Sequence, residues 1–530
     1  MRRALPLLTL ILTACTGELI GPRPEVPPLV EPPPPEPEVC DVPNPLPAAV
    51  VPMRRLNRVH VEATVRDVLG VTDALAVPDE RVFTYRSNIS TSVDDNGVQA
   101  YFDFAERVTA SPTLALTACT RNGCLAWLLD DVAPRFFRRP LSADERTRYQ
   151  TLFNAGVLQA MGSPTAVEEG ARWVLQALLQ SPTFLYVDEP LTDAGMLDGY
   201  GVATRLSLSL WGANPDTTLL AASGNGSLDT ADGVRAQVRL MLEDPRSERG
   251  FNAFVSQWLE LERLRQTDAR PDLTALGEPL LHALETEPVL YVRTATLAGA
   301  DLASLFSDSR TVSMPALVPH YGMDLVSTTG NTSSLDPSRR AGLLTLPGVM
   351  AAMSHAGVTS PTVRGYAVLA NVMCTPPSPP PAGLNITLPP PSPGTTTRAR
   401  LEAHFTDPGC AYCHRPMDGL GFTFEHLDEL GRWRLLDNNL PIDDSADFPL
   451  GADQLTVQGP RQLADALSQR AEVRTCFAKQ WMRYAAGTLE PASVKCFAVD
   501  LGSKGTGADG LERVITEFAA SEYFRKGTAP

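Results

Sequence analysis

Apolar residues recur at helical intervals along most of the chain. Between Leu56 and Leu69 they return every three or four residues and stop at Gly70, which is typical of an amphipathic helix packed on other helices. A similar stripe runs from Phe251 to Leu261, and we interpret it as core. Alternating patterns of the kind that strands show are scarce. The pattern therefore predicts a mainly α protein of several helical segments, joined by long irregular Pro-rich connections.

Local signals predict where several of these helices lie. Ser142 and Glu145 have the spacing of a capping box, so a helix is expected to begin there. Periodicity predicts further helices at residues 101–108, 166–179, 200–211, 234–242, 249–264, 462–487 and 511–523, with two more between 271 and 309. Asn96-Gly97 predicts a turn, and residues 441–459 are predicted to be irregular.

The first residues have the features of an exported lipoprotein. A positive start and a short apolar run lead to Leu12-Thr13-Ala14-Cys15, which matches a signal peptide cut before a cysteine that then carries lipid. Because the run is too short to span a bilayer, lipid on Cys15 is the expected membrane anchor. The alternative is a plain secretory signal that is cut elsewhere. We expect an exported protein in the periplasm, on the outer membrane or at the cell surface.

One short motif carries specific chemistry. Cys410 and Cys413 are separated by two residues, and His414 follows directly. Two thiols at this spacing can each add to a vinyl group of one porphyrin, while the histidine binds the iron from the same side. The motif predicts one covalent c-type haem with His414 as the proximal ligand. Zinc is a weaker alternative, because adjacent Cys and His are an unusual ligand spacing and the sequence has no second Cys-x-x-Cys.

The remaining ligands of such a haem are less constrained by the sequence. We expect the other ring nitrogen of His414 to donate to a backbone carbonyl. The candidates for the sixth iron ligand are His404, His426 and Met482, and an open sixth position would favour peroxide chemistry. Met417 follows His414 by only three residues, so we expect it to pack and not to bind iron.

Charged residues near the motif are interpreted as structural. Three carboxylates follow it, Asp418, Glu425 and Asp428. We expect caps and ion pairs with Arg432 and Arg434. The alternatives are acid–base chemistry or metal binding for the carboxylates, and contacts with haem propionates for the arginines. Farther along the chain, Arg135, Arg138 and Arg139 are expected to form internal ion pairs, with an anion site as the alternative. His282 and Glu285 are expected to be structural.

The charge of the chain argues against some classes of binding partner. The formal net charge is −16, and Lys and Arg do not cluster. Nucleic acid is therefore not an expected partner, because a surface that binds its backbone needs clustered basic residues. The Gly-x-Ser-x-Gly and His-Glu-x-x-His motifs of common hydrolases do not occur. We expect instead a redox partner protein or a small redox donor.

The other cysteines are expected to form disulfides, since an exported protein folds in an oxidising compartment. Besides Cys15 and the two motif cysteines, six remain: Cys40, Cys119, Cys124, Cys374, Cys476 and Cys496. Short spacing favours Cys119 with Cys124 and Cys476 with Cys496, although spacing alone does not decide connectivity. Cys40 is then left with Cys374.

A series of short landmarks runs from residue 54 to residue 525. In chain order they include Arg54-Arg55-Leu56-Asn57-Arg58, Arg138-Arg139-Pro140-Leu141, Ser181-Pro182-Thr183-Phe184-Leu185-Tyr186, Arg340-Ala341-Gly342-Leu343-Leu344, Ser360-Pro361 with Arg364-Gly365, His404, the Cys-x-x-Cys-His motif and Gly431-Arg432-Trp433-Arg434. With these landmarks the chain resembles the secreted multidomain proteins that combine the domain-of-unknown-function families 1587, 1595, 1592, 1588 and 1585. The resemblance implies an exported, mostly helical, cytochrome-c-like protein.

Together these features divide the chain into seven predicted segments. A signal peptide (1–14) and a Pro-rich linker (15–53) precede helical segments at 54–115, at 116–186 with Cys119 and Cys124, and at 187–335; a haem-binding segment (336–440) and a C-terminal helical segment (441–530) follow. Our leading hypothesis is one-electron transfer by the haem c. The alternatives are a cell-surface interaction or carbohydrate-associated protein with a structural haem, and a haem peroxidase.

Overall fold

The computed structural model describes residues 40, 46, 53–89, 93–114, 116, 121–189, 191–266, 271–378, 393–406 and 408–527. Across these ranges the protein is mainly α-helical with few short strands, as predicted. The signal peptide with Cys15, most of the Pro-rich linker and the proline-rich strip at 379–392 lie outside the described residues. Within the described ranges, every helix is either too short or too polar to serve as a membrane span.

The first helices build a core of their own. They are α1 (Arg58–Leu69), α2 (Asp95–Ala110), α3 (Arg121–Trp127), α4 (Ala133–Phe137), α5 (Ala143–Gln159), α6 (Ala166–Leu179) and α7 (Pro182–Leu185). On α1 the buried side chains Val61, Val65 and Leu69 are four residues apart and so lie on one face of the helix. Gly70 ends α1 in the left-handed conformation with a φ of 70°, which glycine adopts without steric cost.

A second, larger core is built by the following helices. They are α8 (Gly199–Leu210), α9 (Thr217–Gly224), α10 (Ala231–Glu243), α11 (Ser247–Trp258), α12 (Pro271–Thr274), α13 (Glu278–Leu297), α14 (Ser304–Ser307), α15 (Val318–Tyr321), α16 (Pro347–Ala352), α17 (Pro361–Ala367), α18 (Thr397–Thr406), α19 (Pro408–Phe422), α20 (Gly459–Ser468), α21 (Ala471–Ala486), α22 (Lys495–Ser503), α23 (Gly510–Ala520) and α24 (Glu522–Arg525). The apolar stripe of α11 is buried here, as predicted. Phe254 of α11 packs on Trp258 and Trp481, with ring centroids 5.4 and 5.0 Å away.

Shorter helical turns connect these elements. The π-helix Leu128–Val132 lies between α3 and α4, and the π-helix Val368–Val372 continues α17. The 3₁₀ turns are Leu261–Arg265, Pro315–Leu317, Gly322–Asp324, Leu343–Thr345 and Ala492–Val494. Residues 40–530 form one compact unit, within which the predicted segments 54–115 and 116–186 share the first core.

The strands are short and pair in small antiparallel sheets. They are β1 (Arg54–Arg55), β2 (Arg81–Val82), β3 (Tyr85–Arg86), β4 (Tyr186–Val187), β5 (Arg310–Val312), β6 (Leu325–Thr329), β7 (Thr332–Leu335), β8 (Leu436–Asp437), β9 (Leu440–Pro441), β10 (Ser445–Leu450) and β11 (Asp453–Gln458). β1 pairs with β4, β2 with β3, and β8 with β9, while β5, β7 and β6 form one three-stranded sheet in that order. The pairing of Arg54 with Val187 joins the two ends of the first core.

Three local predictions are wrong. Residues 441–459 are not irregular, because β10 and β11 form a hairpin in which alternate residues of β10 are buried. Asn96-Gly97 is not a turn: both residues lie in the first turn of α2, where Asp94 caps the helix by accepting from the Gly97 N–H. The helix predicted over 462–487 is two helices, α20 and α21. The capping box of Ser142 and Glu145 is confirmed, with both of its hydrogen bonds formed.

The disulfides differ from the pairing that spacing favoured. Cys40 is bonded to Cys496, with Cα atoms 5.0 Å apart, and Cys374 is bonded to Cys476, with Cα atoms 5.3 Å apart. The predicted pairs Cys476–Cys496 and Cys40–Cys374 are therefore wrong, because α21 carries Cys476 alongside the end of the 368–372 π-helix. Cys124 is disulfide-bonded. Cys119 lies outside the described residues, so that its pairing with Cys124 stays a prediction.

Candidate functional site

Helix α19 carries the Cys-x-x-Cys-His motif. Cys410, Cys413 and His414 stand at positions i, i+3 and i+4 of this helix, so their side chains lie on one face. Both cysteines are free thiols and half-buried. The other cysteines of the described ranges are disulfide-bonded: Cys40, Cys124, Cys374, Cys476 and Cys496. The two motif thiols are thus kept apart from the disulfide framework and lie beside the histidine.

His414 is oriented by a buried carboxylate. Its Nδ1 lies 3.0 Å from Oδ2 of Asp418, one helical turn farther along α19. Oδ1 of Asp418 accepts a hydrogen bond of 2.6 Å from the Thr362 hydroxyl of α17. The expectation that a backbone carbonyl would hold His414 is therefore wrong, since the acceptor is a carboxylate. With Nδ1 held in this way, Nε2 of His414 is the nitrogen left to bind a metal.

His404 of α18 lies against His414. The two ring centroids are 4.5 Å apart with the planes tilted by 55°. Within the described part of the chain, Nδ1 of His404 is buried without a hydrogen-bond partner. Ligand atoms of His404, His414 and Asp418 all lie within 4.8 Å of one another. Burial, followed by the proximity of His414, lowers the pKa of His404 below its usual value. A neutral imidazole is the form that binds a metal.

The other two candidates for the sixth ligand have different surroundings. Nδ1 of His426 donates to the carbonyl of Arg434 at 2.7 Å, and its Nε2 lies 3.7 Å from a carboxylate oxygen of Asp444. The His426 ring also stacks on Trp433, with centroids 4.8 Å apart. Met482 is buried in the larger core on α21, which packs mainly on α22. Of the two histidine candidates, His404 is therefore the one whose ring lies against His414. Met417 is buried and packed in the core, as expected.

The loop after α19 is held by ion pairs whose carboxylates are buried. Glu425 accepts from Arg434 at 2.9 Å, and Asp428 accepts from Arg432 at 2.8 Å, as the structural interpretation predicted. Burial raises the pKa of Glu425. The fully buried Arg364 of α17 donates to the carbonyls of this loop, namely those of Phe424, Leu427 and Asp428. This role cannot be predicted from the sequence, since a buried arginine that donates to distant carbonyls leaves no local pattern.

The remaining charged candidates are structural. Arg138 is buried and donates to the carbonyls of residues 183, 184 and 186, which places it at the end of α7 instead of in an anion site. Arg139 forms a bidentate pair with Glu145, with both distances 2.9 Å. On α13, Glu285 pairs with Arg265 at 2.6 Å, and His282 lies beside a threonine of the same helix.

Family models match four consecutive stretches of the chain, and each is described as a protein family of unknown function. PSD3 (DUF1587) matches residues 54–111, PSD5 (DUF1595) residues 124–189, PSD4 (DUF1592) residues 197–323, and PSCyt3 (DUF1588) residues 340–437. Together they cover about two thirds of the chain. The chain thus contains domains of all four families, in this order.

The order of the matches is the one that the landmarks predicted. The four families are typical of multidomain cytochrome-c-like proteins, and the PSCyt3 match includes the Cys-x-x-Cys-His motif. Family 1585 is not among the matches and stays a prediction. No curated protein and no solved structure matches the chain.

Proposed function

We propose that this protein is an exported lipoprotein that carries one covalent c-type haem and transfers single electrons. The haem would be attached to Cys410 and Cys413 and bound at its iron by His414, while lipid on Cys15 would anchor the chain at the periplasmic or outer face of a membrane. Its partners would be a redox protein or a small redox donor. The family supports a cytochrome-c-like protein in general terms, and the finer assignment rests on the site.

The observation that carries the proposal is the arrangement of the motif on α19. Two unpaired thiols lie on the helix face that also presents His414, in a fold whose other described cysteines are oxidised. His404 and His414 add two imidazoles at the same place, with ligand atoms that lie within 4.8 Å of each other and of an oxygen of Asp418. These groups fit a haem, which would supply a reversible one-electron couple between its ferric and ferrous states.

We propose His404 as the sixth ligand. Its ring lies against His414, and its buried Nδ1 has no hydrogen-bond partner among the residues that the structure describes. Burial of an unpaired ring nitrogen costs free energy, so iron binding would remove that cost. A second histidine would fill the open coordination position that peroxide chemistry requires, and this favours electron transfer over a haem peroxidase.

A direct test is expression of the exported chain with cytochrome c maturation machinery. Denatured protein should give a pyridine haemochrome spectrum of c type, and its intact mass should include one haem. The double variant Cys410→Ser with Cys413→Ser should lose both signals, whereas a matched Cys374→Ser with Cys476→Ser variant should keep them. A colourless wild-type protein without the added mass would contradict the proposal.

The sixth ligand is tested by the optical and EPR spectra of the His404→Ala variant. We expect conversion from a low-spin to a high-spin iron, because one strong-field nitrogen ligand is lost. His426→Ala is the matched control and should leave the iron low-spin. An unchanged His404→Ala spectrum would remove His404 from this role, and conversion by Met482→Leu instead would transfer the role to Met482.

The same preparation separates the alternative functions. Rapid reduction by small donors, and reoxidation by an acceptor, are expected for electron transfer. A haem that is not turned over, together with tight glycan binding, would favour the structural-haem alternative. A high-spin wild-type iron that reacts with peroxide would favour the peroxidase. For the anchor, Cys15→Ser should move the protein from the detergent phase to the aqueous phase and remove the lipid mass.

A further inference from the structure

We infer that Asp418, held in place by Thr362, is the positioning residue that sets the electronic character of His414 and thereby lowers the reduction potential of the site. The inference rests on the proposed haem, and it assigns a role to two residues that the motif itself does not contain. Thr362 lies 56 positions before Asp418 in the chain, so that only the packing of α17 on α19 brings them together.

Asp418 is placed to hold one tautomer of His414. Its side chain is 0% exposed, and each of its carboxylate oxygens has a separate donor. Oδ2 receives the His414 Nδ1–H at 3.0 Å, and Oδ1 receives the Thr362 hydroxyl at 2.6 Å. Because one oxygen is engaged by a residue of the same helix and the other by α17, the carboxylate is held at two points and directs the proton of His414 to Nδ1.

Close packing of two helices places Thr362 at this distance. Gly365 of α17 lies directly on the backbone at Met417, and Gly421 of α19 lies directly on the backbone at Pro361. A Cβ at either glycine would overlap a carbonyl oxygen of the other helix. Pro361 is the residue next to Thr362, and Met417 is the residue next to Asp418. The two glycine contacts therefore fix the separation at the point where the Thr362–Asp418 bond forms.

Arg364 holds the same pair of elements at the other end. Its guanidinium is fully buried and donates to Phe424 O at 3.0 Å, to Leu427 O at 2.8 Å and to Asp428 O at 2.7 Å. These acceptors lie in the loop directly after α19. Helix α17 is thus attached to α19 through Thr362 and to the following loop through Arg364, so that it forms a rigid support for the motif helix.

A carboxylate partner changes what His414 can do as a ligand. A charge-assisted hydrogen bond from Nδ1–H to a carboxylate is stronger than one to a neutral carbonyl and makes the imidazole a better electron donor at Nε2. A more basic ligand stabilises the ferric state of an iron over the ferrous state, because the ferric state has the greater need for electron density. Asp418 is therefore expected to lower the reduction potential, and its burial protects this effect from solvent.

The test compares midpoint potentials of the haem-loaded chain by spectroelectrochemical titration. Asp418→Asn keeps the size and an acceptor but removes the charge, so the potential should rise. Thr362→Val should raise it by a smaller amount, because Asp418 keeps its charge but loses one of its two holding points. Thr362→Ser restores the hydroxyl and should return the wild-type value. Thr423→Val, which removes a buried hydroxyl that donates to Leu420 O in the last turn of α19, is the matched control and should leave the potential unchanged.

An unchanged potential in Asp418→Asn, with haem still attached, overturns the inference. The role of the Thr362 hydroxyl is overturned by either of two results. One is an unchanged midpoint potential in Thr362→Val, and the other is a potential in Thr362→Ser that equals that of Thr362→Val. If Asp418→Asn fails to fold or to attach haem, the midpoint potentials of Thr362→Val and Thr362→Ser decide the inference by themselves.

A haem-free measurement separates this inference from the proposed function. In the full chain expressed without maturation machinery and labelled with ¹⁵N-histidine, the His414 signal should show a proton on Nδ1, and Asp418→Asn should shift the population toward Nε2–H. A colourless wild-type protein overturns the haem proposal, but the nitrogen shifts still report on the link between Asp418 and His414. A wild-type His414 with its proton on Nε2 contradicts that link directly.

Discussion

Buried polar side chains in this protein need hydrogen-bond partners to offset the cost of burial. Glu287 of α13 shows how incomplete pairing affects stability. Its side chain is fully buried, and its Oε1 accepts from Tyr321 Oη at 2.6 Å and from Thr311 Oγ1 at 2.8 Å. Its Oε2 has no hydrogen-bond partner among the residues that the structure describes. Burial raises the pKa of this carboxyl to about 7, and the hydrogen bonds from Tyr321 and Thr311 oppose that rise only in part.

We predict that Glu287 makes stability depend on pH. Between its unfolded pKa of 4.5 and its folded pKa of about 7, the folded carboxyl holds a proton that the unfolded one releases. The contribution of this carboxyl to the free energy of unfolding is fully present below pH 4.5 and is lost as the pH rises through about 7. The total loss should be on the order of 3 kcal/mol, from about 1.4 kcal/mol for each pKa unit.

Urea titrations of wild type and Glu287→Gln at several pH values measure this effect. The stability difference between the two proteins should shrink or reverse from pH 4.5 to pH 7, because glutamine does not titrate. Glu285→Gln on the same helix removes a surface carboxylate that pairs with Arg265, and it is the control. The prediction is contradicted if the difference in free energy of unfolding between wild type and Glu287→Gln does not change with pH, because the carboxyl would then have the same pKa in the folded and unfolded states.

At the scale of elements, the site depends on how closely α17 and α19 approach. Gly365 and Gly421 remove side chains at the two positions where the helices touch, and each faces a backbone carbonyl. Backbone cannot move aside as a flexible side chain can, so any Cβ there must push the helices apart. The same contacts carry the Thr362–Asp418 bond that holds His414.

We predict that Gly421→Ala destabilises the protein by about 1–3 kcal/mol or more, the usual cost of overpacking. It should also raise the midpoint potential, since separation of the helices weakens the hold on Asp418. Chemical denaturation and the redox titration measure the two effects. Gly97→Ala is the matched control: this helical glycine faces side-chain atoms of Val93 and Asp94 and not the backbone of another helix, and alanine is favoured inside a helix. An equal loss of stability in Gly421→Ala and Gly97→Ala would contradict the explanation by helix packing.

At the scale of the whole molecule, two disulfides join regions that are far apart in sequence. The Cys40–Cys496 bond links residues separated by 456 positions, and the Cys374–Cys476 bond links residues separated by 102. The second bond fixes α21 to the segment that follows α17 and its π-helix. In this way the larger core is crosslinked close to the helix that supports the motif.

We predict that Cys374→Ser with Cys476→Ser lowers the free energy of unfolding by about 2–5 kcal/mol, the range for a native disulfide. Denaturant titration measures the loss, and peptide mapping without reduction should recover the Cys40–Cys496 and Cys374–Cys476 peptides from wild type. Recovery of a Cys476–Cys496 peptide instead would contradict the fold in this region. The double variant should still attach haem, because neither cysteine belongs to the motif.

The sequence by itself determined the features that depend on near neighbours in the chain. The helical class, the end of α1 at Gly70 and the capping box at Ser142 follow from spacing of three or four residues, which a helix turns directly into contacts. The motif on α19 belongs to the same class, since residues i, i+3 and i+4 share a face in any helix. The four matching families were also predicted from short local landmarks.

Only the tertiary structure decided the features that join distant residues. The disulfide pairs depend on the path of the chain. The Cys476–Cys496 pair that short spacing favoured is therefore wrong, and so is the Cys40–Cys374 pair that it left by elimination. Residues 445–458 form a hairpin because alternate positions of β10 are buried, which depends on what packs against them. The carboxylate at Nδ1 of His414 was not predicted either, since Asp418 has a local charge pattern typical of an ion pair. Its role becomes visible when α17 places Thr362 on its other oxygen.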